Sequence, residues 1–436
     1  MGPNEHPGAR AAAPATEKVA PARPSLLGLP PNVVRLGLVS FFADISTEML
    51  YPLIPIFLRV VLGAPMLALG IIEGTAEATA SLLRTVSGRL SDLSGRRRPY
   101  LLAGYSISAL AKPLIAAGTR LGWPIVLVAR VSDRFGKGLR TSARDALIAD
   151  STPLEMRGRA FGWHRAMDTA GAVLGPLLTI GLVYLFLVRM GHTLRFTLQL
   201  AFLLAAIPGL LGALLVLAVR ERRRPPGAPS PPRLRLRELP PAFRAYLIAW
   251  GGFSLANSSD VFILLKAQRT FGAGHLVSGS ALALATIQVL LVYAFYNVVY
   301  AGASPKLGQL SDRFGRKRVL IGGLILFAAV YLGLAFSRQA WHLWALFGLY
   351  GLYTAATDGV GKAMAIDLVP SSLRASAIGL LGTVTGLATL AASALAGLLW
   401  TLPGPEGWAT FVYGASGAVV GAALLSRIRL PAAARD

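Results

Sequence analysis

The sequence predicts an all-α integral membrane protein with twelve transmembrane helices, arranged as two parallel six-helix repeats. Three observations carry this expectation. Of its 436 residues, 54% are hydrophobic and only 14% charged, too few ionised groups to cover a water-soluble chain of this size. Apolar runs recur at intervals that suit helices of roughly 20 residues crossing a hydrocarbon core of about 30 Å. The segment Gly88-Arg-Leu-Ser-Asp92-Leu-Ser-Gly95-Arg96-Arg97-Arg98 returns as Gly308-Gln-Leu-Ser-Asp312-Arg-Phe-Gly315-Arg316-Lys317-Arg318, so one membrane-embedded unit is written twice. A soluble multi-domain enzyme is excluded on composition.

Residues 1–31 are Pro- and Ala-rich without a continuous apolar core and are expected to form a disordered cytoplasmic tail, not a cleaved signal peptide. The twelve spans are expected near 32–61, 66–91, 99–119, 122–145, 158–187, 193–219, 243–270, 276–311, 317–337, 341–368, 372–402 and 406–427, and they are numbered 1 to 12 below. The first six make an N-terminal bundle (32–219) and the last six a C-terminal bundle (242–428), followed by a short cytoplasmic tail at 429–436. Between the bundles, residues 220–241 are too polar and too broken by proline to cross lipid, and read as a cytoplasmic linker.

The net charge of +23 would point to nucleic acid in a soluble chain. Its placement points to topology. Arg96 to Arg98, Arg157 and Arg159, Arg220 to Arg224, Arg313 to Arg318, Arg374, and Arg427 with Arg429 collect in alternate loops. This positive-inside asymmetry puts both termini in the cytoplasm, with the lipid bilayer as the partner and no nucleic acid. The chain has no cysteine, so disulfides, thiolate metal sites and thiol catalysis are excluded.

A second repeat lies in Asp150-x-x-Pro153-x-x-x-Arg157-x-x-Ala160-x-Gly162, which reappears as Asp367-x-x-Pro370-x-x-x-Arg374-x-x-Ala377-x-Gly379. It follows span 4 or span 10, as the first cassette follows span 2 or span 8. An even number of spans per half makes the repeats parallel, related by an axis along the membrane normal.

On these residues the chain resembles the major facilitator superfamily over roughly 32–430. Gly88, Leu90, Ser91, Asp92, Gly95, Arg96 and Arg97, with Gly308, Leu310, Ser311, Asp312, Gly315, Arg316 and Lys317, match the loop signature of that family twice. Ala170-Gly171-Ala-Val-Leu-Gly175-Pro176 in span 5 resembles the Gly-Pro motif of its drug:proton antiporters, and Arg130 stands where they carry a span-4 arginine. The resemblance implies alternating access, a cytoplasmic latch built on Asp92 and Asp312, and a cavity lined by spans 1, 4, 7 and 10.

The physical logic of the cassettes is legible without the family. Asp92 and Asp312 close helices, where an anion needs a cation or another helix N-terminus nearby, and that partner is expected from the neighbouring half. Gly95 and Gly315 permit the tight turn, and the following arginines suit carboxylates or lipid phosphates. Pure topology is the alternative reading of the cassettes.

Ionisable residues inside spans are costly and point to function. Asp44 and Glu48 on span 1, and Glu73 and Glu77 on span 2, each stand one helical turn apart. Like charges on one face resist joint ionisation, so a carboxyl of each pair suits proton exchange; the competing reading makes each a fixed partner of a span-4 cation. Arg130, Arg134, Lys137 and Arg144 form a basic stripe on span 4 beside Asp133, directed at acids of spans 1, 2 and 5 or at water. His164 and Asp168 share a face of span 5 and could relay a proton, or make a structural hydrogen bond. In the C-terminal half, Asn257, Asp260 and Lys266 on span 7 and Asp358 and Lys362 on span 10 are the counterparts implied by the resemblance, with Asp358-Gly-Val-Gly-Lys362 echoing Asp133-Arg-Phe-Gly-Lys137. Tyr293, Tyr296, Asn297 and Tyr300 on span 8 suit stacking on an organic substrate or packing between helices.

The reading is thus a secondary transporter of the cytoplasmic (inner) membrane, not an enzyme. It moves a small solute by alternating access as a functional monomer, with no cofactor and no resident metal, and is driven by a proton gradient toward efflux. No phosphate-binding Gly-x-x-x-x-Gly-Lys-Ser/Thr loop occurs. Metal-cation efflux and solute uptake are alternatives on the same fold, and a non-transporting membrane sensor is the alternative from another class.

Overall fold

A computed structural model describes residues 28–153, 156–221, 239–272, 280–370 and 373–429. The proposed N-terminal tail up to residue 27, the linker core 222–238 and most of the C-terminal tail lie outside the described residues. Every regular element among the described residues is helical.

The helices group into twelve columns. Span 1 (Pro31–Glu48, continued through Val61), span 2 (Met66–Ser94), span 3 (Arg98–Ala116), span 4 (Trp123–Asp150), span 5 (Arg157–Leu182, continued to Arg189) and span 6 (Leu194–Val216) make the first half. Span 7 (Pro241–Ser254 and Val261–Phe271), span 8 (Ser280–Phe314), span 9 (Arg316–Phe336), span 10 (Ala340–Asp367), span 11 (Arg374–Leu399) and span 12 (Trp408–Arg427) make the second. Proline stands in the first turn of spans 1, 3, 4 and 7, where its missing N–H costs nothing. Gly95 and Gly315 close the two cassettes at φ of 61° and 92°, a conformation that suits residues without a side chain.

Eight columns are long and apolar enough to cross a bilayer on length and composition alone. Spans 3, 4, 7 and 10 fall outside that set. Three of these, spans 4, 7 and 10, are columns expected to line the cavity, and their polarity is covered by neighbouring helices instead of meeting lipid.

Span 7 departs from the expectation of one continuous helix over 243–270. Its two pieces are separated at Leu255–Asp260, and no backbone hydrogen bond joins them among the described residues. The run Asn257-Ser-Ser-Asp260 explains the break, since such side chains compete for backbone groups. Ser393 takes up one freed donor: its Oγ accepts from the Ser259 N–H at 3.0 Å.

Packing repeats with the sequence. Span 1 packs on 5 and 6, span 2 on 4, and span 3 on 4 and 6; correspondingly span 7 packs on 11 and 12, span 8 on 10, and span 9 on 10 and 12. The halves meet through spans 2 and 11 and through spans 5 and 8. At the first of these seams the backbones nearly touch. A Cβ added at Gly70 would lie 2.0 Å from the Ser393 carbonyl oxygen, and one at Gly397 would lie 2.6 Å from that of Met66. Small residues allow this approach, and dispersion between the flattened faces holds it.

Candidate functional site

The polar residues of the first half gather around span 4. Arg130 donates from Nε and Nη2 to the two carboxylate oxygens of Glu73 at 2.7 and 2.6 Å, and neither side chain has any exposure. Asp133 accepts from Lys112 of span 3 at 2.6 Å, receives the Ser108 hydroxyl, and lies 3.5 Å from Arg130. Arg134 sits 3.3 Å from Glu77 and 3.9 Å from Asp133. The rings of Tyr51 stand beside this cluster, with the Arg130 and Arg134 guanidiniums 5.8 and 6.0 Å from the centroid. Arg130 and Arg134 of the basic stripe therefore face the acids of span 2, and Glu73 and Glu77 take the salt-bridge arrangement.

Sequence reasoning passed over Lys112. Its signal was present, since it is an ionisable group in mid-span. It also explains why the Asp133/Lys137 echo of Asp358/Lys362 is unequal in space. Lys362 binds Asp358 of its own helix at 2.6 Å, whereas Asp133 is drawn to span 3 and Lys137 makes no ion pair among the described residues.

Asp44 and Glu48 have a different setting. Glu48 accepts the Tyr293 hydroxyl at 2.7 Å, across the two halves. Asp44, half-buried, has no ion pair or hydrogen bond among the described residues, while the charges of Asp168, Glu48, Lys137 and Arg140 act on it. Both acids lie where span 5 comes closest. A Cβ at Gly171 would meet the Phe41 carbonyl at 2.6 Å and the Asp44 Cβ at 3.0 Å; one at Gly175 would meet the Glu48 Cβ at 2.9 Å. The glycines of the Gly-Pro pattern thus seat the acidic turn of span 1.

His164 joins the same region. Ser40 Oγ accepts from Arg144 at 3.1 Å and lies 2.7 Å from His164 Nε2, and His164 Nδ1 is 3.5 Å from Asp168. Arg144 also pairs with Asp145 at 3.0 Å.

Two adjoining cavities, of ≈ 460 and ≈ 410 Å³, share Asp358 and Lys362 and form one chamber. Asn257 and Asp260 line its inner part, and Gly308, Asp312 and Arg316 line its mouth, so it opens on the face that carries the cassettes. At the opposite end Tyr51 and Tyr293 approach within 5.9 Å between ring centroids, and the Val261–Phe271 helix packs on residues Ile54–Ile56 of span 1. Tyrosines line the inner wall. Tyr296 stacks on Tyr300 and Tyr350 at 6.3 and 5.5 Å, the Tyr350 hydroxyl donates to Asp260 at 2.6 Å, and that of Tyr300 donates to Asp358 at 2.8 Å. Tyr350 carried a signal that the sequence reading did not use: with Tyr353 it forms an aromatic pair at helical spacing on a cavity-lining span. Arg165 of the first half reaches Tyr300 and lies 4.0 Å from Asp358.

The cassettes differ from expectation in one respect. Asp312 finds its cation, Arg316, at 3.4 Å within its own loop, not in the neighbouring half. The Asp92 side chain lies outside the described residues. Each cassette instead ties to its own half: Arg97 to Asp150 at 2.5 Å, Arg316 to Asp367, and Lys317 to the Ser426 and Ile428 carbonyls at 2.7 and 2.8 Å at the end of span 12. Both second-repeat aspartates are thereby partners of the first repeat. Gly88 packs span 2 on span 4, where an added Cβ would lie 3.1 Å from the Ser142 Cβ.

Comparison with known proteins agrees with this architecture. The family model for the Major Facilitator Superfamily matches residues 36–291 and 284–435. A Methanocaldococcus jannaschii protein described as an uncharacterized MFS-type transporter is 35% identical over 394 residues, covering 90% of this chain and 94% of its own length. The class C tetracycline resistance protein of Escherichia coli is 28% identical over 315 residues, covering 71% of this chain and 74% of its own. Among solved structures, the nucleoside transporter NupG superposes with a TM-score of 0.70 at 14% identity, over 91% of this chain and 99% of that one, and a D-xylose-proton symporter with 0.68 at 19% identity, over 91% and 96%. The chain belongs to the major facilitator superfamily: it is a multi-pass membrane transporter of small molecules, and not an enzyme.

Proposed function

We propose that this transporter exports a small solute across the cytoplasmic membrane in exchange for protons, as a monomer with both termini in the cytoplasm. It needs no cofactor beyond the proton gradient. The observation that carries the reading is Asp44. Glu73, Glu77, Asp133 and Asp358 are each within ion-pair distance of a cation; Asp44 and Glu48 are not, and while Glu48 accepts the Tyr293 hydroxyl, Asp44 has no hydrogen-bond partner among the described residues and is packed against the Gly-Pro pattern of span 5. A proton is the missing counter-charge. When Asp44 binds a proton, Lys137 loses an opposing charge and the junction of spans 1, 4 and 5 becomes more positive; this is the step that couples proton movement to rearrangement of the bundle. The similarity to tetracycline resistance proteins supports outward transport. Among the described residues no three His, Asp or Glu side chains converge, which favours an organic solute over a metal cation.

The test uses proteoliposomes holding the full chain and an imposed pH gradient. A panel of fluorescent cations, neutral compounds and anions is added, and dissipation of the gradient is recorded alongside gradient-free counterflow. A transported compound is expected to dissipate the gradient with wild type and not with Asp44→Asn, while counterflow persists. Flux whose pH dependence survives neutral substitution of Asp44, Glu48, Glu73 and Glu77 together would overturn the coupling.

A further inference from the structure

The chamber's inner wall holds an acid without a cation of its own. Asp260 receives the Tyr350 hydroxyl on Oδ1 at 2.6 Å and makes no ion pair among the described residues. Its other oxygen makes no hydrogen bond among the described residues, and Asp260 itself lines the cavity. Of the two cations lining the same cavity, Lys362 is matched to Asp358 at 2.6 Å, whereas Arg84 of span 2, with Glu77 taken by Arg134, makes no ion pair among the described residues and belongs to the half opposite Asp260. Lys266, the cation nearest in sequence, points away and donates to the Glu406 carbonyl at 3.4 Å.

Around Asp260 the wall is aromatic. Trp250, Phe253, Tyr296, Tyr350 and Tyr353 line the same cavity. Tyr350 lies 5.5 Å from Tyr296 and 5.3 Å from Tyr353 between ring centroids. Ring faces attract positive charge and flat apolar bodies alike, and a carboxylate out of bulk water demands a counter-charge. An anion placed on this wall would meet the Asp260 carboxylate as a like charge. An inorganic cation would find one carboxylate where it needs several oxygens. A volume of ≈ 460 Å³ falls within the roughly 300–1,000 Å³ of small-molecule sites, enough for one molecule of a few rings.

We propose that Asp260 and the tyrosine faces beside it form the substrate site, and that the substrate is an organic monocation with a flat aromatic body. Its charged nitrogen binds the free Asp260 oxygen, and its rings lie on Tyr296, Tyr350 and Tyr353. The inference rests on the carrier reading above and adds the class of cargo.

Equilibrium binding to the purified full chain in detergent, with no gradient, tests it. Ethidium, a fluorescent planar cation, is titrated against wild type, Asp260→Asn, Asp260→Glu and Tyr350→Phe, and fluorescein serves as the planar anion. Wild type is expected to bind ethidium and to reject fluorescein, a selectivity that requires no variant. Asp260→Asn is expected to weaken ethidium about tenfold or more, as loss of a charge-assisted contact does. Asp260→Glu retains part of the affinity, and Glu406→Gln, which removes an exposed carboxylate away from the cavity lining, leaves it unchanged. Failure of wild type to bind ethidium, preference for fluorescein, or equal affinity in a folded Asp260→Asn overturns the proposal. The two readings fail separately: neutral or anionic compounds that dissipate the gradient would sink the cation site and leave proton coupling intact, whereas ethidium binding and counterflow without gradient dissipation would do the reverse.

Discussion

Replacing Arg130 by methionine should destabilise the first half severely, and replacing Glu73 as well should undo most of the damage. The pair is bidentate, with contacts of 2.7 and 2.6 Å, and both side chains are fully buried. Removing one member strands a charge in a dry interior, which costs about 3–5 kcal/mol, whereas replacing both by apolar groups of similar volume is often neutral. The neighbourhood permits this recovery. Asp133 loses only its 3.5 Å contact to Arg130 and keeps Lys112 at 2.6 Å and Ser108, so the double variant Arg130→Met/Glu73→Met leaves no orphaned acid. The assay is the midpoint of thermal aggregation in detergent, read as loss of the monodisperse elution peak. Each single variant should lose several degrees, and the double should regain most of them. A double variant no better than either single would refute the reasoning. An equally stable Arg130→Met that had lost gradient-driven flux would make the pair a moving part of coupling, and its assignment as frame would fall.

Gly70→Ala places a methyl group 2.0 Å from the Ser393 carbonyl, so spans 2 and 11 must separate; loss of about 1–3 kcal/mol is expected from overpacking of this size, visible as a lower aggregation midpoint with normal expression of a Gly302→Ala control, where an added Cβ meets nothing within 4 Å. The chain has no cysteine, so single cysteines report access without background. A cysteine at Thr354, on the chamber wall, should react with an impermeant maleimide from the cassette side in the resting protein, and one at exposed Thr401 from the opposite side; labelling of both from one side would contradict the topology.

Much of the architecture was legible because it is written twice. Repeated cassettes, apolar runs and alternating basic loops fix spans and register, and they do so without knowledge of side-chain partners. The site was legible only as a set of residues. Helical spacing told which groups share a face, but not how each helix is rotated or at what depth it meets its neighbour, so proton exchange and a span-4 salt bridge were equally open for Glu73 and Glu77 until each was placed against an arginine. The Asp133/Lys137 echo misled for a similar reason. Span 3 supplies Lys112 at that depth, while span 9 has only apolar and aromatic residues beyond Arg318, so two similar motifs meet different surroundings. The break in span 7 was hidden because its flanks are apolar enough to pass for one helix, although Asn257-Ser-Ser-Asp260 carries the signal.

That break makes the Val261–Phe271 helix a separate plug. Its root is Asp260, its sides touch spans 8 and 10 of its own half, and it rests on Ile54–Ile56 of the other. A continuous helix would have to tilt along its whole length to uncover the sealed end. Here no backbone hydrogen bond among the described residues ties the Val261–Phe271 piece to Pro241–Ser254, so a load placed on Asp260 would act at the base of the stopper itself.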